Sequence, residues 1–522
     1  MTPPRHPPRF IASLQIFSVI FVAIFLLHLP LLRLPFFWDE AGYYVPAAYD
    51  LAHDHVLIPH STLDTGHPPL SAAYLAMWFA VSGWKPAVAR IAMLLVAAFA
   101  LTNVFLLARR ITNTGVAVAS TIATSLYPIF FVQSSLVHAD LTAAAFTLWG
   151  IRMAVERRLW LSQIAFSLAV LCKETAVITP LALSLWEILD RDSGPPRERI
   201  PRAAIYLVPL LPLLGWLAYH HHLTGRIFGS AEFYQYNVNQ TVNPLRFILA
   251  VGLRLWNLLG AMNMLALTAA TAVAMFFPPV VDRDGERKRI AIPIQLQFAM
   301  IMLAHVIAFS LLGGAVLTRY LLPVYPLVIM IGMSTLYRRI LRWQWAAAGI
   351  IILFVLGLFF DPPYRIAPED NLRYRDFVQL HYGAARFLER HERDATILTA
   401  WPAQDELTKP YLGYVSRPFT IVSLRDFTVE QVMKARQTRG QYQVAYLFST
   451  KYESGSWLRP KFWERWNRQY FGYHQDVAPE VAAELLGGRI VYLARREAEW
   501  VAIIEIDQPS RLAFAAQRDG WN

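Results

Sequence analysis

Between Ile11 and Phe360 the sequence is a succession of apolar runs, most of them near bilayer thickness, separated by short polar loops. A spanning helix needs on the order of 20 apolar residues, and a chain carrying this many runs must bury them in lipid. The candidates are Ile11 to Leu32, Ala87 to Ala108, Gly115 to Val132, Leu141 to Val155, Leu159 to Cys172 and Ala176 to Leu189. They continue with Ala203 to Tyr219, Phe247 to Phe277, Ile290 to Leu312, Tyr320 to Leu336 and Trp345 to Phe360. That makes about eleven spans, two of them short. Leu70 to Val81 is too short to cross and is expected to lie along the interface or re-enter.

Composition agrees: 56% of the residues are hydrophobic, and the charged 16% concentrate in short loops and the last third. The net charge of +11 would suit nucleic acid, but much of the Lys and Arg sits in brief runs between apolar segments, where it orients spans. No nucleic-acid partner is expected. Arg109-Arg110, Glu156-Arg157-Arg158, Arg191 to Arg202, Asp282 to Arg289 and Arg338-Arg339 to Arg342 share a side with the basic N-terminus, Met1 to Arg9. That side is the cytoplasm. The loops holding Asp39, His67, His138, Lys173, Gly225-Arg226 and Arg319 then face the other way, with everything after Phe360. The first apolar run is longer than a signal-peptide core and lacks a clear cleavage site, so it reads as a retained span. The expected location is the plasma (inner) membrane, multi-pass.

At Asp361-Pro362-Pro363 the composition turns polar and aromatic. Helical spacing over Phe377 to His391 stands among strand-like runs at Thr396–Thr399, Phe419–Leu424, Tyr442–Phe448, Arg489–Ala494 and Trp500–Ile506. The expected fold class is mostly α: a polytopic membrane helical bundle over residues 1–360, with a large first extracytoplasmic loop at about 33–86. Residues 361–522 form an extracytoplasmic α/β domain in this reading. The single cysteine, Cys172, excludes an intramolecular disulfide and a cysteine-cluster metal site. Neither standard Gly-rich phosphate loop occurs, which leaves a nucleotide-driven mechanism unsupported.

The stretch Phe36 to Leu70 holds the most unusual polar residues. Asp39-Glu40 follows an apolar run, and ionised groups beside hydrocarbon usually face a wet cavity or a partner. Two readings stand: a helix N-cap with a first-turn acid, or a general base for a hydroxyl nucleophile. His67-Pro68-Pro69 either starts the next helix or meets a ligand, and Asp140 opens a later span as an N-cap or as part of a site. Lys173-Glu174 interrupts an apolar stretch, as a loop with a snorkelling lysine or with a cation beside a phosphate. Arg319-Tyr320 offers a guanidinium fork and a phenol suited to phosphate. His220-His221-His222 and His53/His55 lack first-shell spacing with a carboxylate, so no metal site is assigned.

Taken in order, Phe37-Trp38-Asp39-Glu40-Ala41-Gly42-Tyr43-Tyr44, His67-Pro68-Pro69-Leu70, Asp140, Leu171-Cys172-Lys173-Glu174-Thr175 and Arg319-Tyr320-Leu321-Leu322-Pro323 resemble the GT-C glycosyltransferases. The nearest branch is that of protein O-mannosyltransferases and the lipid A aminoarabinose transferase, and the likeness spans roughly Ile11 to Phe360. It implies transfer of a sugar from a polyprenyl-phosphate donor to an extracytoplasmic acceptor hydroxyl on protein, lipid or glycan, with inversion. It further implies Asp39 as catalytic base, Glu40 and Asp140 shaping the acceptor site, and Lys173, Arg319, Tyr320 and His67 at the donor phosphate. His67 stands where the aminoarabinose branch has lysine. No cofactor is implied, and the metal requirement stays open. The alternative is a transporter or flippase of lipid-linked sugars, whose polar residues would line a path to both faces.

Overall fold

The computed structural model describes residues 9–190, 194–231, 243–283, 285–311, 316–452 and 461–507. Most of the basic N-terminal segment, the start of the 191–202 loop and Asp284 lie outside the described residues. Contacts divide the chain into two compact units. The first comprises Met1–Leu32, Ala47–Val81 and Val88–Phe360, and the second Arg33–Pro46, Ser82–Ala87 and Asp361–Asn522.

The first unit is helical, and five segments among the described residues are long and apolar enough to cross a membrane. They are Ile11–Leu31, Pro86–Ile111, Pro196–Thr224, Pro244–Ala274 and Ile292–Leu311. Leu70–Ser82, Thr114–Leu126, Leu159–Cys172 and Trp343–Phe359 are shorter apolar helices. Several expected spans are interrupted; Ala203 to Tyr219 crosses the turns between the helices Pro196–Ile205 and Leu210–Thr224. Gly115 to Val132 breaks at Tyr127, whose extended backbone is what a following proline favours, and Pro128 then starts a new helix, Pro128–Gln133. Phe247 to Phe277 breaks between the helices Pro244–Leu259 and Met264–Ala274, because Met262 and Asn263 take left-handed conformations. Asn263 donates from Nδ2 to the Leu353 carbonyl at 2.6 Å, which holds the break in place.

The arrangement that positions the site is a helical hairpin. Ala139–Val155 turns at Glu156-Arg157-Arg158 and returns as Leu159–Cys172. Arg157, at φ +59, reverses the chain. The legs pack closely because Gly150 has no side chain: a Cβ there would lie 2.4 Å from the Phe166 ring. Ser162 Oγ donates to the Gly150 carbonyl at 2.9 Å. Ala143, Ala169, Val170, Cys172 and Leu213 fill the core at the open end.

The second unit is built on a five-stranded sheet of β1 (Thr396–Ala400), β2 (Thr420–Leu424), β3 (Val444–Phe448), β4 (Gly488–Arg496) and β5 (Glu499–Ile506). The order is β2-β1-β3-β5-β4, parallel among β2, β1 and β3 and antiparallel from β3 onward. Helix Tyr374–His391 packs its apolar stripe on β4 and β5. Parts of the first loop join this unit through local contacts: Tyr414 Oη donates to the Phe36 carbonyl at 2.9 Å, and Trp84 meets Tyr411 with ring centroids 5.9 Å apart.

Glu499, at the start of β5, is buried with one carboxylate oxygen unpartnered among the described residues. Burial pushes its carboxyl well above the usual range, Asp376 and Asp361 add to this, and Arg373 opposes it. The folded chain therefore holds this proton more tightly than the unfolded one. The resulting stability is complete below the ordinary glutamate pKa and is lost as pH rises toward the raised value. Glu499→Gln should unfold at nearly the parental temperature at about pH 4 and at a higher temperature by about pH 7. Unfolding midpoints measured across that range check this, and a constant difference would contradict it.

Candidate active site

An antiparallel hairpin brings the start of its first leg to the end of its second. Asp140 lies in the first turn of Ala139–Val155, and Lys173 caps Leu159–Cys172 in an extended conformation. Although 33 positions apart, Lys173 Nζ donates to Asp140 Oδ1 at 2.6 Å. Both side chains are at most 7% exposed. The lysine stays charged: burial alone would lower its pKa, but Asp140, with Tyr320 and Glu174 nearby, raises it above the ordinary value.

The second carboxylate oxygen of Asp140 faces Arg319 Nε at 3.5 Å. Arg319 sits in a 3-10 turn, Thr318–Leu321, fastened from two sides. Tyr325 Oη donates to the Thr318 carbonyl at 3.0 Å, and Arg254 Nη1 donates to the Leu317 carbonyl at 2.6 Å. Three cations surround the ring of Tyr320: Lys173 Nζ is 4.4 Å from its centroid, Arg254 Cζ 5.4 Å and Arg319 Cζ 6.0 Å. The ring's negative face offsets part of their mutual repulsion. Phe309 stacks on Tyr320 at 5.3 Å and fixes its plane. Three cations against Asp140 and the nearby Glu174 leave an excess of positive charge in a buried setting, which suits an anion such as a phosphate.

His67 precedes helix Leu70–Ser82, and its Nδ1 is 2.8 Å from Glu174 Oε2, the residue after Lys173. Ser71 Oγ lies 2.6 Å from Thr142 Oγ1, tying that helix to the open end of the hairpin. Asp140, Lys173, Arg319 and Tyr320 thus meet in the first unit, with His67 one residue removed through Glu174. Asp39 and Glu40 belong to the second unit. Glu40 is buried and accepts from the Phe37 N–H at 2.7 Å, closing its own turn. Asp39, half-buried, makes no capping bond and has helical rather than extended backbone, so the N-cap reading does not describe it.

Sequence reasoning missed Arg254 and assigned Glu174 no role. Arg254 had a signal, since an ionisable residue inside an apolar segment is a functional-site hypothesis by default. Of the histidines weighed for metal, two are engaged elsewhere: His220 contacts the Arg226 carbonyl at 2.8 Å and Asp64 Oδ2 at 2.9 Å, and His53 contacts the Tyr49 carbonyl at 3.0 Å. Among the described residues one other group of donors converges, Asp50, Asp54 and His60, within 4.8 Å of one another. There Asp50 Oδ2 accepts the backbone N–H groups of His60 and Ser61, at 2.9 and 2.8 Å, so the group fastens a loop.

ArnT from Cupriavidus metallidurans, in the apo state, superimposes with a TM-score of 0.57 over 95% of this chain and 98% of that one, at 16% identity. The chain has the fold of the GT-C glycosyltransferases. The same ArnT bound to undecaprenyl phosphate superimposes with a TM-score of 0.54 at 14% identity, covering 95% and 97% of the two chains. Residues 66–219 match the family model of dolichyl-phosphate-mannose-protein mannosyltransferases. None of the curated proteins matches the sequence. The matched region contains the whole hairpin, with His67, Asp140, Lys173 and Glu174.

Truncating Asp140 leaves Lys173 and Arg319 buried without their carboxylate, a loss that typically costs about 3 to 5 kcal/mol. Asp140→Ala should therefore lower the denaturant midpoint of the detergent-solubilised protein sharply, and adding Lys173→Met should recover much of the loss. An unchanged midpoint in the single variant would show that the pair carries little stability.

Proposed function

We propose that this chain is an integral-membrane glycosyltransferase that moves a sugar from a polyprenyl-phosphate donor to an extracytoplasmic acceptor hydroxyl with inversion. The observation that carries the reading is the buried cation group around Tyr320, in a chain with the GT-C fold. ArnT, bound to undecaprenyl phosphate, supports the lipid-phosphate class of donor. The membrane is the plasma (inner) membrane in this reading, with about eleven spans. The N-terminus is cytoplasmic and residues 361–522 are extracytoplasmic.

Lys173, Arg319 and Arg254 hold the donor phosphate, Tyr320 supports the three cations, and Asp140 keeps two of them oriented. His67 acts through Glu174 on the same group. The acceptor O–H gives its proton to Asp39 as its oxygen bonds to the anomeric carbon. The bond from that carbon to phosphate breaks, and polyprenyl phosphate departs with the electron pair. A phosphodiester monoanion thereby becomes a monoester dianion, and the excess of cations stabilises the charge that develops. The leaving group needs no strong acid. The nucleophile needs a base, and Glu40, locked on the Phe37 N–H, shapes the turn that presents it.

Transfer measured in proteoliposomes with a panel of polyprenyl-phosphate sugars tests the reading, and movement of lipid-linked sugar without glycoside formation would replace it with the transporter. In that assay Asp39→Asn should lose about 10²- to 10⁴-fold in rate while staying folded and binding donor. Lys173→Ala, Arg319→Ala and Arg254→Ala should each weaken binding of undecaprenyl phosphate by about 1.5 to 3 kcal/mol. Parental affinity in all three, with folding intact, would place the phosphate elsewhere.

A further inference from the structure

Asp39 is carried on a turn with an unusual backbone. Trp38, immediately before it, has φ +40, sparsely populated by residues with a side chain, and Glu40–Tyr44 forms a π-helical turn. Such a conformation persists only where its surroundings over-determine it. Those surroundings lie in the second unit. The Trp38 ring meets Trp401 edge to face at 5.4 Å, Phe377 at 5.1 Å and Phe448 at 6.4 Å. Tyr43 stacks on Trp401 at 4.8 Å. Between these two contacts the Trp401 indole lies flush against the backbone of Gly42, where a Cβ would fall 2.1 Å from its Nε1. One indole thus touches the residues one before, three after and four after Asp39.

Trp401 follows the carboxyl end of β1 and Phe448 ends β3. From β1 the chain passes to β2 on one side, and from β3 to β4, beyond β5, on the other, so these neighbouring parallel strands flank the point where the winding reverses. In open α/β sheets the crevice at that point is where ligands bind. Here the chain's own Trp38 packs against its residues. The floor is rigid: His381 stacks on Phe377 at 3.9 Å, meets Phe448 at 4.5 Å, and is held by Glu406 at 2.7 Å.

We propose that Trp401 is a positioning residue for Asp39, so that the crevice of the C-terminal sheet sets the aim of the general base. The inference rests on the assignment of Asp39 as that base. Reacting groups must be held to a fraction of an ångström, and a misplacement of about 1 Å can cost about 10²-fold in rate. Trp401 Nε1 is buried without a hydrogen-bond partner among the described residues. Phenylalanine at this position would therefore keep the ring contact and forfeit no hydrogen bond.

The test uses the full chain in proteoliposomes with the undecaprenyl-phosphate sugar that gives turnover in the panel, and binding of undecaprenyl phosphate as a control. Gly42→Ala and Trp401→Ala should each lower kcat about 10²-fold with donor KM and undecaprenyl phosphate binding near parental values. Trp401→Phe should stay close to the parental rate. Gly42→Ala added to Trp401→Ala should cost nothing more, because the ring that clashes is gone. Folded single variants that turn over at the parental rate overturn the proposal. So do losses that track donor KM or the folded fraction, including failure of both variants to fold. If Asp39→Asn is inactive while both variants are active, only the positioning role falls; if Asp39→Asn is active, the base assignment falls first.

Discussion

The first unit depends on a buried ion pair whose members sit at the two ends of one hairpin. An isolated ammonium in such a place would lose far more hydration than any single contact returns, so Lys173 is tolerable only because Asp140 meets it. The reverse also holds, and the two helix ends are thereby pinned together. Arg319 joins from a distant part of the sequence, and the Tyr320 ring gives the three cations a common wall. A helix-packing problem and a charge-placement problem are solved by the same five side chains.

Much of this was legible in the sequence, for an identifiable reason. Polar residues interrupting apolar runs are conspicuous, and Asp140, Lys173, Arg319 and Tyr320 were all visible as interruptions. What could not be read was pairing. Asp140 was expected with the acceptor, yet its carboxylate lies on Lys173 and Arg319, because which helix ends meet is decided by packing rather than by spacing. Arg254 was absorbed into a long apolar segment. The break at Tyr127-Pro128 had a local signal in the proline, whereas that at Met262-Asn263 had little: only the chain's wider packing selects left-handed backbone there.

In the second unit the strands fall within two residues of the strand-like runs, because short apolar runs mark strands such as β1 and β3 that are buried along nearly their whole length. Trp401 had no such signature. In a sequence with 16 tryptophans beside a membrane, an indole is first taken for an interfacial anchor. Its place against Gly42 joins residues more than 350 positions apart, which is decided by the packing of the whole unit rather than by local spacing.

The hairpin imposes a demand beyond which residues occupy it. Its legs run 17 and 14 residues, and the ion pair forms only if both ends face the same way at the same height. Adding or removing one residue in either leg turns everything beyond it by about 100° and shifts it about 1.5 Å along the axis. Lys173 would then point away from Asp140, with every side chain unchanged. Leg length is thus itself part of the site: the legs can exchange one apolar residue for another of similar size, but they cannot be lengthened or shortened.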